Sequence, residues 1–129
     1  MVLPRLLVID DEPALAAYVA RAASICGYEP LIADGDRDFR AQFDVTRPGV
    51  VVLDLGMPGS DGVELLRFLA VEGFEGPVLI ISGFDRRVLD SAFRLGEALG
   101  LNMVGPLEKP ARLEAIEELL NDLKLTLAE

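Results

Sequence analysis

Several residue types that often mark a particular function are absent or scarce in this chain of 129 residues. It has no histidine, no tryptophan, one cysteine and only 6% aromatic residues. A single cysteine excludes a disulfide within the chain, and we expect Cys26 to be a small buried side chain rather than a reactive thiol. The scarcity of aromatic residues predicts a core of Leu, Val, Ile and Ala, which suits helices packed on a parallel sheet.

Positive charge and long apolar runs are scarce as well. The formal net charge is −10, so the chain has no basic stripe to bind phosphates, and contact with nucleic acid or an anionic membrane is not expected. No apolar stretch approaches the roughly 18 residues that a membrane span requires, and residues 1–4 lack the features of a signal peptide. We therefore expect a soluble, cytoplasmic protein in which residues 1–129 form one domain.

Apolar patterning alternates between short continuous runs and helical stripes along the chain. Strands are predicted at 5–10, 28–33, 50–54, 77–82 and 102–109. Helices are predicted from Pro13 to the stop at Gly27, and at 36–47, 61–72, 86–99 and 111–128. Five successive βα units predict an α/β fold with right-handed crossovers. For units of this length we expect a flavodoxin-like, doubly wound parallel sheet with strand order 2-1-3-4-5.

The helical stripes also predict which residues face the sheet. Val63, Leu66 and Ala70 are expected inward on the third helix. On the fourth helix the expected inward stripe is Val88, Ala92, Leu95 and Leu99. Leu89 and Phe93 lie beside that stripe, so they are interpreted as partly buried packing residues, with a partner surface as the alternative.

Polar residues end four of the five predicted strands. Asp10 and Asp11 follow one buried run, and Asp54 closes another. Ser82 and Lys109 end the fourth and fifth strands. Because parallel strands place their carboxyl ends at one edge, these side chains are expected to meet there. Carboxylates about 4 Å apart repel by roughly 4 kcal/mol at an effective dielectric near 20, so a positive group must lie among them.

These segments together resemble the receiver domain of response regulators in two-component systems, the CheY-like family. Four segments carry the resemblance in order along the chain, and they are Leu7–Pro13 (LVIDDEP), Val52–Gly62 (VLDLGMPGSDG), Ile80–Gly83 (IISG) and Leu107–Pro110 (LEKP). With the five-unit layout it covers essentially the whole chain. It implies a phosphorylation-dependent signalling switch rather than an enzyme, with a histidine kinase or phosphotransfer protein as its partner.

The resemblance also implies roles for individual residues. Asp54 would accept the phosphoryl group, while Ser82 and Lys109 would contact phosphoryl oxygens. A Mg²⁺ or Mn²⁺ ion would be held by Asp10, Asp11, Asp54 and the backbone carbonyl of Gly56. Oxygen ligands of this kind suit Mg²⁺, which would supply positive charge among the acids. The resemblance further implies a cis Lys109–Pro110 peptide bond and a homodimer surface on the fourth helix, fifth strand and fifth helix.

The sequence departs from the family at Pro106, where an aromatic switch residue is usual. A proline has no aromatic ring that could change rotamer, although an edge strand tolerates a proline. We therefore expect the fourth helix to change most on activation, and a phosphorylation-independent docking scaffold is the alternative function. An aspartyl-phosphate phosphatase is disfavoured because Gly56 stands where such enzymes place a second Asp, and the chain has no histidine to move the proton.

The context of the domain is also open at this point. The chain is expected to be a stand-alone receiver or a receiver excised from a longer regulator. The segments Leu99–Leu101 and Gly105–Pro110 weakly resemble receivers fused to cyclic-di-nucleotide phosphodiesterase domains.

Overall fold

The computed structural model describes residues 3–55, 62–83 and 86–127, with side chains as far as Lys124. Five strands alternate with five helices, which are β1 (Arg5–Ile9), α1 (Pro13–Ile25), β2 (Glu29–Ala33), α2 (Asp36–Thr46), β3 (Val50–Asp54), α3 (Gly62–Val71), β4 (Pro77–Ser82), α4 (Arg86–Ala98), β5 (Asn102–Glu108) and α5 (Leu113–Leu127). The predicted elements are all present. Among the described residues, no helix is long and apolar enough to cross a membrane.

All five strands pair in parallel in the order β2-β1-β3-β4-β5, as the sequence predicts. Leu7 in β1 lies between Leu31 in β2 and Val51 in β3. Every residue of β3 and β4 is buried. Both faces of these central strands are covered by helices, which explains why their sequences are continuous apolar runs rather than alternating ones.

Two apolar clusters hold the helices to the two faces of the sheet. One lies beneath α2, α3 and α4 and includes Phe39, Phe43 and Leu65. The other lies beneath α1 and α5 and includes Val19 and Ile116. Cys26 belongs to this second cluster and is a free, buried cysteine, as expected from the sequence.

The inward faces of α3 and α4 differ from those predicted. In α3 the buried side chains are Leu65, Leu66 and Leu69, whereas Val63 and Ala70 are only partly buried. In α4 the buried residues are Leu89, Ala92 and Gly96, and Phe93 is partly buried against the core. Val88 and Leu99 are 45% and 36% exposed, so their assignment to the inward stripe was wrong.

The rotation of α4 has a packing cause. A side chain on Gly96 would collide with the Met103 side chain of β5, so the missing Cβ is what lets the thioether lie against the helix. This close approach turns Gly96 toward the sheet and carries Leu89 and Ala92 with it, because positions separated by about one or two turns share a helix face. Pattern analysis gives glycine no weight as a core residue and therefore misses this face.

Strand β5 is an edge strand with an irregularity at Pro106. Leu79 pairs with Val104 and Ile81 with Leu107, so β5 has one residue more than β4 across this step. Gly105 takes a φ of +87°, which a side chain would strain. The Gly105–Pro106 and Lys109–Pro110 peptide bonds are both cis, and the second confirms the prediction from sequence.

Candidate functional site

The carboxyl edge of the sheet brings together the predicted site residues that the structure describes. Asp54 is the last residue of β3 and Ser82 is the last of β4, and both are buried. Asp10 follows β1 directly, Lys109 follows β5 directly, and Asp11 beside Asp10 is exposed. Gly56, the predicted source of a backbone carbonyl, lies outside the described residues.

Lys109 is the centre of this constellation. Its Nζ lies 3.1 Å from Oδ2 of Asp54 and 3.2 Å from Oδ2 of Asp10. The three side chains are 14%, 3% and 6% exposed, respectively, so these charges are largely removed from water. The positive group that the crowded carboxylates require is thus the Lys109 ammonium, which the sequence predicts at this edge, although the compensating charge was assigned there to a metal ion.

The protonation of the site follows from these contacts. Burial by itself would lower the pKa of Lys109, but hydrogen bonds to Asp54 and Asp10 and the attraction of both carboxylates outweigh it and raise the pKa above the ordinary value. Lys109 is therefore charged at neutral pH. The pKa of Asp10 is raised, chiefly by burial and further by the charge of Asp54, although the Glu12 amide and Lys109 oppose this shift.

Glu12 belongs to the site although the sequence analysis gave it no role. Its backbone N–H donates to Oδ1 of Asp10 at 2.9 Å, and its carboxylate accepts from Lys109 Nζ at 3.4 Å. Glu12 occupies the N-cap position of α1, yet its side chain does not cap the helix. The available signal was its place in an unbroken acidic run just before Pro13, which marks the helix start.

Backbone hydrogen bonds hold the strand ends in register at the site. The Lys109 N–H donates to the Ser82 carbonyl at 2.9 Å, and the Leu55 N–H donates to the Ile81 carbonyl at 3.3 Å. Gly62 at the start of α3 is packed so tightly on Leu55 that a Cβ there would lie 2.7 Å from a Leu55 methyl carbon. The glycine therefore shapes the start of α3.

The acidic residues form a donor set that fits a divalent cation. Carboxylate oxygens of Asp10, Asp11 and Glu12 all lie within 4.8 Å of one another. Mg²⁺ prefers oxygen ligands, retains several waters and is commonly bound through one or two carboxylates. Asp54 is joined to this cluster because it shares the Lys109 ammonium with Asp10 and Glu12. The chemistry of these residues is thus compatible with a magnesium site.

Comparison with known proteins places this geometry in context. The family model described as the response regulator receiver domain matches residues 6–121. Among curated proteins, the transcriptional regulatory protein TrcR of Mycobacterium tuberculosis is 36% identical over 81 residues, covering 63% of this chain and 32% of that protein. The cyclic di-GMP phosphodiesterase RocR of Pseudomonas aeruginosa is 33% identical over 116 residues, covering 88% of this chain and 30% of that protein.

Solved structures show the same fold. A response regulator from Colwellia psychrerythraea matches with a TM-score of 0.84 and 27% identity, covering 96% of this chain and 98% of that one. The chemotaxis protein CheY4 of Vibrio cholerae matches with a TM-score of 0.80 at 22% identity, covering 95% and 99% of the two chains, and this similarity concerns the fold alone. The chain spans about a third of the length of TrcR and of RocR.

Proposed function

The chain belongs to the response regulator receiver family, and from this premise we propose that it is the switch of a two-component phosphorelay in which Asp54 accepts the phosphoryl group. Receiver domains are the phosphoacceptors of such systems. The observation that carries the residue assignment is the buried Asp54 carboxylate at the end of β3, paired with Lys109 and adjoining the Asp10–Glu12 acidic cluster. Asp10 shares the burial and the lysine contact, and Asp54 is proposed in preference to it because Asp54 closes β3, where the resemblance to receiver domains implies the phosphoacceptor.

In the proposed reaction a carboxylate oxygen of Asp54 attacks the phosphorus atom of a phosphohistidine on the partner protein. The new bond joins that oxygen to phosphorus, and the bond from phosphorus to the imidazole nitrogen breaks, so the imidazole leaves with the electron pair. The charged Lys109 ammonium is positioned to pair with a phosphoryl oxygen, and the Ser82 hydroxyl to donate a hydrogen bond to another. The chain thus assists its own phosphorylation without being a separate enzyme.

A divalent cation completes the proposed site. Asp10, Asp11 and Asp54, with the Gly56 carbonyl, are proposed to hold Mg²⁺ or Mn²⁺, and Glu12 extends the same acidic cluster. The bound ion supplies positive charge that offsets the negative oxygens of the phosphoryl group. The carboxylates of the chain orient that charge, and burial of Asp54 keeps its reacting oxygens away from bulk water.

The partners proposed from this assignment are a histidine kinase or a phosphotransfer protein. A homodimer through α4, β5 and α5 is also proposed, since Val88 on α4 and Leu99 directly after it expose apolar surface. The weak resemblance of residues 99–110 to receivers joined to cyclic-di-nucleotide phosphodiesterases has a counterpart in RocR. TrcR is named as a transcriptional regulatory protein and RocR as a cyclic di-GMP phosphodiesterase. Similarity across the receiver therefore does not identify the output of this protein.

The assignment of Asp54 is tested by intact-mass analysis after incubation with Mg²⁺ and a small phosphodonor such as acetyl phosphate. The wild type should gain one acid-labile phosphoryl group, and Asp54→Asn should gain none. Asp34→Asn is the matched control, because Asp34 follows β2 at the same carboxyl edge of the sheet but is exposed. An adduct of equal stoichiometry on the Asp54→Asn protein would refute the assignment, and no adduct on the wild type would favour the docking scaffold.

A further inference from the structure

An ion pair joins the start of α4 to the strand that carries the site lysine. Nη1 of Arg86, the first residue of α4, lies 3.0 Å from Oε1 of Glu108, the last residue of β5. Nε of the same arginine lies 3.5 Å from Oδ1 of Asp90, one turn further along α4. The guanidinium thus spans the helix and the strand, with two carboxylates holding it in place.

Glu108 is coupled to the site through its backbone, although its side chain contacts Arg86 and not the site. It precedes Lys109, whose ammonium contacts Asp54 and whose backbone N–H donates to the Ser82 carbonyl. Glu108 also pairs with Ser82 in the β4–β5 register. A displacement of the Lys109 or Ser82 backbone toward a group on Asp54 would therefore reach Glu108, because one peptide unit separates it from Lys109 and one strand pairing separates it from Ser82.

The aromatic switch residue that usually links the site to the α4–β5 surface in this family is replaced by proline in this chain. The position three residues before Lys109 holds Pro106, which has no ring to move and lies in the irregular part of β5. Further along α4, the contact with β5 is the apolar packing of Gly96 on Met103, which carries no charge that could respond to the site. The Arg86–Glu108 pair is the ion pair that links α4 to β5 within the described residues.

We propose that Arg86 and Glu108 are positioning residues that convey the state of the acidic site to α4. The inference deepens the proposed function and rests on it. The two side chains are 65% and 48% exposed, so the pair adds little to stability and its removal should leave the fold intact. A contact of this strength still shifts a two-state population by up to about fivefold, which is enough to weaken a switch.

The test is hydrogen exchange of residues 86–95 in the full chain, with and without Mg²⁺ and beryllofluoride, a mimic of a phosphoryl group on a carboxylate. The variants are Arg86→Gln, Glu108→Gln and the double variant. Arg94→Gln is the control, because it removes one positive charge from an exposed position on the same helix. Binding at the site is followed separately by the fluorine NMR signal of bound beryllofluoride.

We expect the wild type and Arg94→Gln to show the same change in α4 protection. Both single variants should bind beryllofluoride yet show a smaller change than the wild type, and the double variant should lose no more than either single one, because all three break one pair. Wild-type α4 responses in either single variant, or losses that add in the double variant, would overturn the inference. Failure of the wild type to bind beryllofluoride would instead overturn the proposed function, and the inference with it.

Discussion

Replacing Lys109 by Met should destabilise the protein, because Lys109 neutralises carboxylates that are buried. Asp54 and Asp10 keep only 3% and 6% of their side-chain surface exposed. At about 3 Å and an effective dielectric near 20, each lost pair corresponds to a gross attraction of roughly 5 kcal/mol. The desolvation of the lysine is recovered, so the net loss should be about 3 kcal/mol, in the range found when one partner of a buried pair is removed.

The assay is urea unfolding in the presence of a chelator, which prevents divalent ions from substituting for the ammonium. The control is Lys124→Met, the same substitution at the only other lysine of the sequence, near the end of α5. That variant should lose less than about 1 kcal/mol. Adding Asp54→Asn to Lys109→Met should restore part of the stability, since one of the uncompensated buried charges is removed.

The dependence on pH provides a second measurement of the same effect. Burial and the charge of Asp54 already raise the pKa of Asp10 in the folded chain, and loss of the ammonium removes a contact that opposes this shift. The deficit of Lys109→Met relative to the wild type should therefore shrink as the pH falls from about 7 to about 5. If Lys109→Met is as stable as the wild type in chelator, or if Asp54→Asn gives no recovery, the reasoning from buried charge is wrong.

Three further predictions concern the metal, the hydrogen bond from Tyr28 to α5, and the packing of α4 on β5. Mg²⁺ should raise the thermal midpoint of the wild type by binding the native acidic cluster, and this increase should vanish in Asp11→Ala, whose side chain is exposed; an unchanged midpoint of the wild type would contradict a metal site. Tyr28→Phe should lose about 1–2 kcal/mol, because the buried hydroxyl donates to the Leu120 carbonyl at 2.6 Å. Burial, aided by Cys26, raises the pKa of Tyr28 to about 12, above its value near 10 in the unfolded chain, so this tyrosine contributes stability that is lost as the pH rises through that window. Alkaline unfolding measured by circular dichroism should accordingly be less steep in Tyr28→Phe, and equal steepness would contradict the assignment. Gly96→Ala should lower the free energy of unfolding, measured with urea, by about 1 kcal/mol. Overpacking against Met103 costs roughly 1–3 kcal/mol, and the gain in helix propensity returns about 1 kcal/mol. A stabilised variant would show that Met103 moves aside at little cost.

Much of the fold was predictable because its signals are local. Continuous apolar runs mark β1, β3 and β4 as strands covered on both faces, and the alternation with helical stripes leaves few topologies for a parallel sheet. The meeting of Asp10, Asp54 and Lys109 also follows from topology, since parallel strands end at one edge. No side-chain packing has to be known for these conclusions.

The inward face of α4 was not predictable in the same way. A stripe of large apolar residues favours Val88 and Leu99, but α4 turns Gly96 toward β5 because Met103 fills the space above it. That outcome depends on one pair of residues in different elements. Periodicity describes a helix by itself and therefore carries no information about such a pair.

Sequence by itself determined the family, the strand order and the edge at which the acids and the lysine gather, because each depends on local pattern and chain direction. Tertiary structure alone decided how the charges of the site are shared. Glu12 reaches the ammonium of Lys109 across 97 positions in the chain, and Arg86 reaches Glu108 across 22. Neither contact has a local signature, since each depends on how closely two loops or two elements approach once the sheet and both helix layers have packed.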